Sequence, residues 1–196
     1  MKSFKVNLIL VFSIVLLVFF IGMSIYAPYV KIEETVEEVI ANQKLEAAKS
    51  IAASIDLETY ERFLNERTRD EDYWAIRSYL NDARQKLGAL YVYTLKIDNP
   101  IVSKTLIVGV PKNENNPNDF PIGEYCTVPE EQVKMAYYEG TPFVTGVIED
   151  EKYGNYLTVG APILSEEGEI ISYLGIDIST DTLNDIKRAA LLNNIY

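Results

Sequence analysis

An uncharged, apolar run from Val6 to Ala27 limits what this chain can fold into more than any other feature of its sequence. Lys2 and Lys5 precede the run, and several glutamates follow it closely. A helix of this length is enough to cross the roughly 30 Å hydrocarbon core of a bilayer. Because lysines before such a helix favour a cytoplasmic N-terminus, the rest of the chain is expected on the extracytoplasmic side. We therefore predict that residues 1–27 are a transmembrane signal anchor in the cytoplasmic membrane.

The alternative interpretation of this run is a cleaved signal peptide. The apolar part of a signal peptide is about 7–15 residues long and ends in small residues before the cleavage site. Here the run is longer, and its last small residue, Ala27, is followed by Pro28, which is a poor context for cleavage. The sequence therefore favours an uncleaved anchor.

Charge and composition exclude several classes of function. The formal net charge is −11, and without Lys2 and Lys5 the chain carries 16 basic and 29 acidic side chains. Such a surface repels nucleic acid, so we expect no nucleic-acid partner. The chain has no histidine and one cysteine, Cys126, which excludes Ser-His-Asp catalysis, His-rich metal sites and an internal disulfide. We expect no cofactor and no metal, and we expect Cys126 to be a small buried or half-buried apolar side chain.

Helical periodicity continues beyond the apolar run. Residues 29–55 lack glycine and carry an apolar stripe, which predicts a long stalk helix continuous with the anchor. Capping residues and apolar spacing then predict four shorter helices. These are residues 57–64, Asp70–Leu87 with a stop at Gly88, a helix from Thr127 and Pro129 to Gly140, and a terminal helix capped by Ser179.

Strand-like alternation begins after Gly88. We predict an α+β domain over residues 28–196, with a five-stranded, mostly antiparallel sheet and helices on one face. The polar segment 112–128 is predicted to be a lid or a binding loop. The predicted strands are Ala89–Ile97, Val102–Val110, Phe143–Glu149, Tyr156–Leu164 and Glu169–Ile178.

Four phrases in the second half of the chain resemble the Cache family. They are Tyr153–Leu157, Gly160–Ile163, Glu166–Ile170 and Gly175–Ser179. Cache domains are PAS-like extracytoplasmic sensors of bacterial chemoreceptors, sensor kinases and diguanylate cyclases. The resemblance implies a ligand-binding sensor domain, with links to chemotaxis or two-component signalling. Family members usually continue into a second transmembrane helix and a cytoplasmic output domain, so output through such a domain or through a partner receptor both stay open.

Strand alternation places tyrosines and a carboxylate on a common face of the predicted sheet. This face would lie beneath the 112–128 loop, where the Cache resemblance implies a ligand site. Asp177 suits an amine, and Arg84 or Arg77 suits a carboxylate. The alternatives are ordinary sheet packing for the tyrosines, helix capping for Asp177, solvated charges for the arginines and a solvated turn for Glu149–Glu151. The predicted ligand-binding residues are Tyr91, Tyr93, Tyr156, Thr158, Tyr173, Asp177 and Arg84.

Together these features predict a membrane-anchored extracytoplasmic sensor of a small polar metabolite. The ligand would be an amino acid, an amine or a carboxylate, and the signal would pass through the N- and C-terminal helices. The stalk helix would allow a homodimer. The alternative is a ligand-free, membrane-tethered interaction protein that regulates a partner receptor. No carboxylate pair stands out as a glycosidase would require, so we expect no enzymatic activity outside a domain absent from this chain.

Overall fold

The computed structural model describes residues 2–112 and 120–193, except for the side chains of residues 2–9, 25, 28, 29, 32–34 and 191–193. Within these residues the chain forms five helices and six strands. In chain order they are α1 (Lys2–Ala53), α2 (Leu57–Glu66), α3 (Glu71–Leu87), β1 (Tyr91–Lys96), β2 (Ser103–Val108), β3 (Glu124–Cys126), α4 (Glu130–Glu139), β4 (Phe143–Asp150), β5 (Gly154–Leu164), β6 (Ile170–Ser179) and α5 (Thr180–Asn193).

The chain divides into two compact units. The first contains the residues up to Val39 together with those from Asn184 onward, and the second contains Ile40–Leu183. In the first unit, Lys187 Nζ of α5 donates a hydrogen bond to Glu37 Oε2 of α1 at 2.8 Å. The whole sheet lies in the second unit.

Helix α1 begins with the apolar run and continues through the stalk segment without a break, as predicted. Its side chains from Leu10 to Met23 are exposed, with Phe12 at 64% and Phe20 at 65% of their full accessible surface. No helix of the described residues is both long enough and apolar enough to span a membrane. The predicted anchor over Val6–Ala27 lies partly outside the residues whose side chains are described.

Predicted helix ends are confirmed where a capping side chain or a glycine sets them. Asp70 accepts a hydrogen bond from Tyr73 N at the start of α3, and Gly88 ends that helix with a φ of 59°. Gly140 ends α4 with a φ of 65°, a left-handed conformation that glycine adopts without a Cβ clash. Ser179 Oγ accepts from Thr182 N and caps α5.

The sheet is antiparallel, in the order β3-β2-β1-β6-β5-β4. Among the described residues it has six strands, so the prediction of five is wrong. The additional strand, β3, lies within the segment predicted to be a loop and pairs with the edge of β2. A strand of three residues is too short to show an alternating apolar pattern, and its central residue, Tyr125, is 73% exposed.

Different helices cover the two faces of the sheet. On one face α3 packs against β1 and β2, and Tyr60 of α2 hydrogen-bonds to Ser172 of β6 at 2.8 Å. On the other face, Val133 and Ala136 of α4 join a buried cluster with Tyr173. The prediction of helices on one face is therefore wrong. A single short apolar stripe on α4 does not specify the side of the sheet that it covers.

Candidate functional site

The tyrosine-bearing face of the sheet has two halves. In one half, Tyr173 OH donates to the Ala136 carbonyl of α4 at 2.8 Å, and its ring lies 5.9 Å from that of Phe143. Helix α4 thus closes this half as ordinary core. The other half holds a cavity.

Strand pairing explains which side chains meet in this cavity. Asp177 on β6 is opposite Tyr91 on β1 and opposite Thr158 on β5. Residues opposite one another in adjacent strands point to the same face, so alternation brings the three together. The cavity has about 480 Å³ of empty volume, part of it open to solvent. Its lining consists of Tyr91, Tyr93, Thr105, Val108, Phe120, Glu124, Tyr125, Cys126, Thr127, Tyr153, Tyr156 and Asp177.

Asp177 lies at the buried end of the site and is 6% exposed. Its Oδ1 accepts hydrogen bonds from Thr158 Oγ1 at 2.7 Å and from Tyr93 OH at 3.1 Å. Both of the hydrogen bonds observed on this carboxylate end on Oδ1. Among the described residues, no donor is placed on Oδ2.

Burial raises the pKa of Asp177 to about 7, although the hydrogen bonds from Thr158 and Tyr93 act in the opposite direction. No lysine or arginine is among the described residues that line the cavity, so no side chain there neutralises the carboxylate. Near neutral pH the group is therefore divided between its protonated and ionised forms.

Cys126 also lies in the cavity wall, with Sγ 3.7 Å from Tyr93 OH. Burial raises the pKa of this thiol to about 11, so it is protonated at neutral pH. It acts as a small side chain with a weak donor, in line with the prediction, and it lacks the low pKa of a nucleophilic cysteine.

Three aromatic rings form one wall of the cavity. Tyr91 meets Phe120 and Tyr153 edge to face, with both ring centroids 5.7 Å away. Phe120 has a φ of 53°, unusual for a residue with a side chain, and Arg69 Nη2 donates to its carbonyl at 3.0 Å. That hydrogen bond ties the wall to the segment before α3.

The turn between β4 and β5 forms the rim of the cavity. Asp150 Oδ1 accepts hydrogen bonds from Lys152 N at 2.8 Å and Tyr153 N at 2.9 Å. The bond from Tyr153 is the main reason that the pKa of Asp150 lies below its usual value. Thr127 of the cavity wall also reaches Asp150, at 3.3 Å. In the part of the chain that the structure describes, this turn included, no group of three or more His, Cys, Asp or Glu side chains is placed to hold a metal ion.

The structure brings most of the predicted site residues together. Tyr91, Tyr93, Tyr156 and Asp177 line the cavity. Thr158 is not part of the lining but donates a hydrogen bond to Asp177. Two predicted residues lie elsewhere. Tyr173 belongs to the half closed by α4, and Arg84 Nη2 donates to Asn81 Oδ1 at 3.0 Å on α3.

Arg77 is neither in the cavity nor solvated. It is 1% exposed and donates to the carbonyls of Val110 and Pro111 at 2.9 and 3.0 Å and to Tyr73 OH at 3.1 Å. Its guanidinium also lies 5.1 Å from the ring centroid of Trp74. Arg77 therefore fastens the end of β2 to α3.

The sequence interpretation missed the residues contributed by turns and by β3. Phe120, Glu124 and Tyr153 reach the cavity because of loop paths that no periodicity encodes. Thr105 on β2 could have been predicted, since strand alternation places it beside the tyrosine-bearing face.

No protein-family model matches this sequence, and no curated protein matches it. Solved structures do match it in three dimensions. The sensor domain of E. coli DcuS has a TM-score of 0.56 and 16% identity, and the match covers 78% of this chain and 97% of that one. The sensor domain of the V. cholerae histidine kinase DctB has a TM-score of 0.55 and 12% identity, with 80% of this chain and 57% of that one covered.

The ligand-binding domain of the Campylobacter jejuni chemoreceptor Tlp3, in complex with 4-methylisoleucine, is similar at a TM-score of 0.49 and 17% identity. The match covers 81% of this chain but 58% of that domain. The DcuS and DctB structures establish that this chain has the fold of bacterial sensor domains, which confirms the fold expected from the Cache resemblance.

Proposed function

We propose that this chain is a sensor domain that binds a small amine, or the amino group of an amino acid, at Asp177. The observation that carries the proposal is a buried carboxylate in the wall of a cavity, with both observed donors on one oxygen and no lysine or arginine among the described lining residues. An ammonium group would donate to Oδ2 and supply the missing positive charge. The tyrosines around it would add apolar area and hydroxyl groups that orient the ligand.

A carboxylate ligand suits the same cavity less well. It would meet Asp177 and Glu124, both acidic; no lysine or arginine is among the described lining residues, and Lys152 at the rim already pairs with Glu124. Arg84, the predicted partner of a carboxylate, is engaged with Asn81. Of the three ligand classes that the sequence left open, an amine or an amino acid is therefore favoured over a simple carboxylate.

The proposed location is extracytoplasmic, with the chain held in the cytoplasmic membrane by residues 1–27. The uncharged run Val6–Ala27, the preceding lysines and the exposed apolar side chains of α1 support this part of the proposal. Pairing of two copies along α1 is supported by Val39, which is 59% exposed on the stalk segment. Sedimentation of the full chain in detergent as a monomer at high concentration would argue against the pairing.

The proposed signal passes through β6 into α5. Asp177 is two residues before Ser179, whose hydroxyl caps α5. A ligand can shift a conformational equilibrium only if it binds one state better than the other. Binding at Asp177 would favour the state in which this part of β6 is drawn towards the cavity, and α5 would carry that change towards the partner or output domain.

Thermal unfolding of the full chain in detergent micelles, against a panel of amines, amino acids and carboxylates, tests the ligand class. An amine at about 100 times its dissociation constant should stabilise the fold by about 2.7 kcal/mol, a clear rise in Tm. Asp177→Asn should abolish the rise because it removes the negative charge and keeps the shape.

Asp181→Asn, an exposed aspartate near the start of α5, is the matched control and should leave the rise intact. Stabilisation by carboxylates alone, or a rise that survives Asp177→Asn, would refute the amine assignment. No stabilisation by any member of the panel would favour the ligand-free interaction protein instead.

A further inference from the structure

We propose that the ligand is a diamine, with one ammonium group at Asp177 and a second that takes the place of Lys152 at the rim of the cavity. This inference rests on the proposed function, because it concerns the ligand of the same cavity. It starts from a cation that the chain itself places at the rim.

The ammonium group of Lys152 lies 4.6 Å from the ring centroid of Tyr153 and 3.4 Å from Glu124 Oε1. Tyr153 and Glu124 both line the cavity. An aromatic face beside a carboxylate is an arrangement that binds an ammonium ion. The rim therefore contains a cation-binding position, and a lysine from the adjoining turn occupies it.

The lysine side chain can leave this position without disturbing the rim. The side chains of Lys152 and Glu124 are 65% and 40% exposed, and exposed ion pairs of this kind contribute little to stability. The backbone of the turn is held separately, by the bonds that Lys152 N and Tyr153 N donate to Asp150. The Tyr153 ring is held by its contacts with Tyr91 and Phe120. A ligand ammonium can replace that of Lys152 while the ring and the turn stay in place.

The two acids of the cavity differ in what neutralises them. Glu124 has Lys152, whereas the partners of Asp177 among the described residues are the hydroxyl groups of Thr158 and Tyr93. A monoamine at Asp177 would leave Lys152 where it is. The second ammonium of a diamine would reach Glu124 and the Tyr153 ring as well, so both acids would be neutralised by one molecule.

Isothermal titration of the full chain in detergent micelles at pH 8 tests this inference. Linear α,ω-diamines of increasing length are compared with monoamines of the same carbon number. From the usual size of a partly exposed ion pair and a cation–π contact, the best diamine should bind about tenfold more tightly than its monoamine. Glu124→Gln should reduce this difference to less than about twofold, because the second ammonium loses its carboxylate partner while Asp177 still binds the first.

Lys152→Gln should strengthen diamine binding by about fivefold, because the competing cation is gone. The matched control is Lys134→Gln, a lysine on α4 that pairs with Glu130 and should change neither affinity. Equal affinities for diamines and monoamines at every chain length would overturn the inference and leave the proposed function intact. Binding of neither amine would overturn both.

Discussion

Arg77 and Asp177 are both buried charged residues, 1% and 6% exposed, yet their surroundings differ in how the charge is satisfied. The Arg77 guanidinium donates to two carbonyls and a tyrosine hydroxyl and lies over the ring of Trp74. Asp177 has two hydroxyl donors on one oxygen and no donor among the described residues on the other. Because burial of an uncompensated charge is costly, the contrast separates a structural residue from one suited to bind a ligand.

The largest expected effect is at Arg77. Arg77→Met keeps most of the side-chain volume but leaves two carbonyls and the Tyr73 hydroxyl without their donors. At about 1–3 kcal/mol for the buried Tyr73 hydroxyl and about 1 kcal/mol for each of the two part-buried carbonyls, the free energy of unfolding should fall by about 3–5 kcal/mol. Urea unfolding measures the loss.

Arg84→Met is the control for this substitution, since Arg84 is only partly buried and binds a neighbouring side chain on its own helix. It should cost less than about 1 kcal/mol. Comparable losses in the two variants would show that the hydrogen bonds of Arg77 contribute little to the fold.

At Asp177 we expect removal of the charge to raise the free energy of unfolding, the opposite of the result expected at Arg77. Burial raises the pKa of this carboxyl from 3.8 to about 7, so the folded chain holds the proton more tightly than the unfolded chain. Its contribution to stability is complete below about pH 4 and is lost as the pH rises towards 7. Asp177→Asn removes the charge, so at pH 8 the variant should be more stable than the wild type by about 1–3 kcal/mol.

Urea unfolding at pH 4.5 and at pH 8 measures this difference, which should be small at the lower pH. A variant that is less stable than the wild type at pH 8 would mean that the ionised carboxylate is well satisfied in the folded chain. Asp177 would then be a structural residue like Arg77.

The smallest expected effect concerns the donors to Asp177. Thr158→Val removes the hydroxyl that donates to Oδ1 at 2.7 Å, and this hydroxyl favours the ionised form. The variant should therefore lose about 1 kcal/mol more stability at pH 8 than at pH 4.5. Thr94→Val, an equally buried threonine on the opposite face, should show no such dependence on pH. If Thr158→Val lowers the free energy of unfolding equally at the two pH values, Thr158 contributes packing alone and its hydroxyl does not stabilise the ionised carboxylate.

The contrast between Arg77 and Asp177 also shows how much of the site the sequence could predict. Alternation along β1, β5 and β6 predicted the meeting of Tyr91, Tyr156 and Asp177, because residues opposite each other in paired strands must share a face. The same reasoning assigned Tyr173 to the ligand site. Only α4, whose placement the sequence did not specify, distinguishes the two halves of that face.

Arg77 shows a second limit of sequence interpretation. Its helical position resembles that of Arg84, seven residues along, and both were interpreted as possible ligand contacts or solvated charges. What buries Arg77 is the path of Val110 and Pro111 after β2, which supplies carbonyl acceptors from a loop. The rim residues Phe120, Glu124 and Tyr153 were missed for the same reason, since turn geometry rather than periodicity places them.

The central pairing of β1 with β6 has a consequence for how the site forms. The hydrogen bond from Tyr93 to Asp177 joins residues 84 apart in the chain, and β6 is the last of the six described strands to be synthesised. Contacts between such distant residues form late and slow folding, because a long loop must close first. The cavity therefore does not exist in a nascent chain whose β6 residues have not yet emerged from the ribosome. A chain truncated before β6 would lose the middle of its sheet along with Asp177.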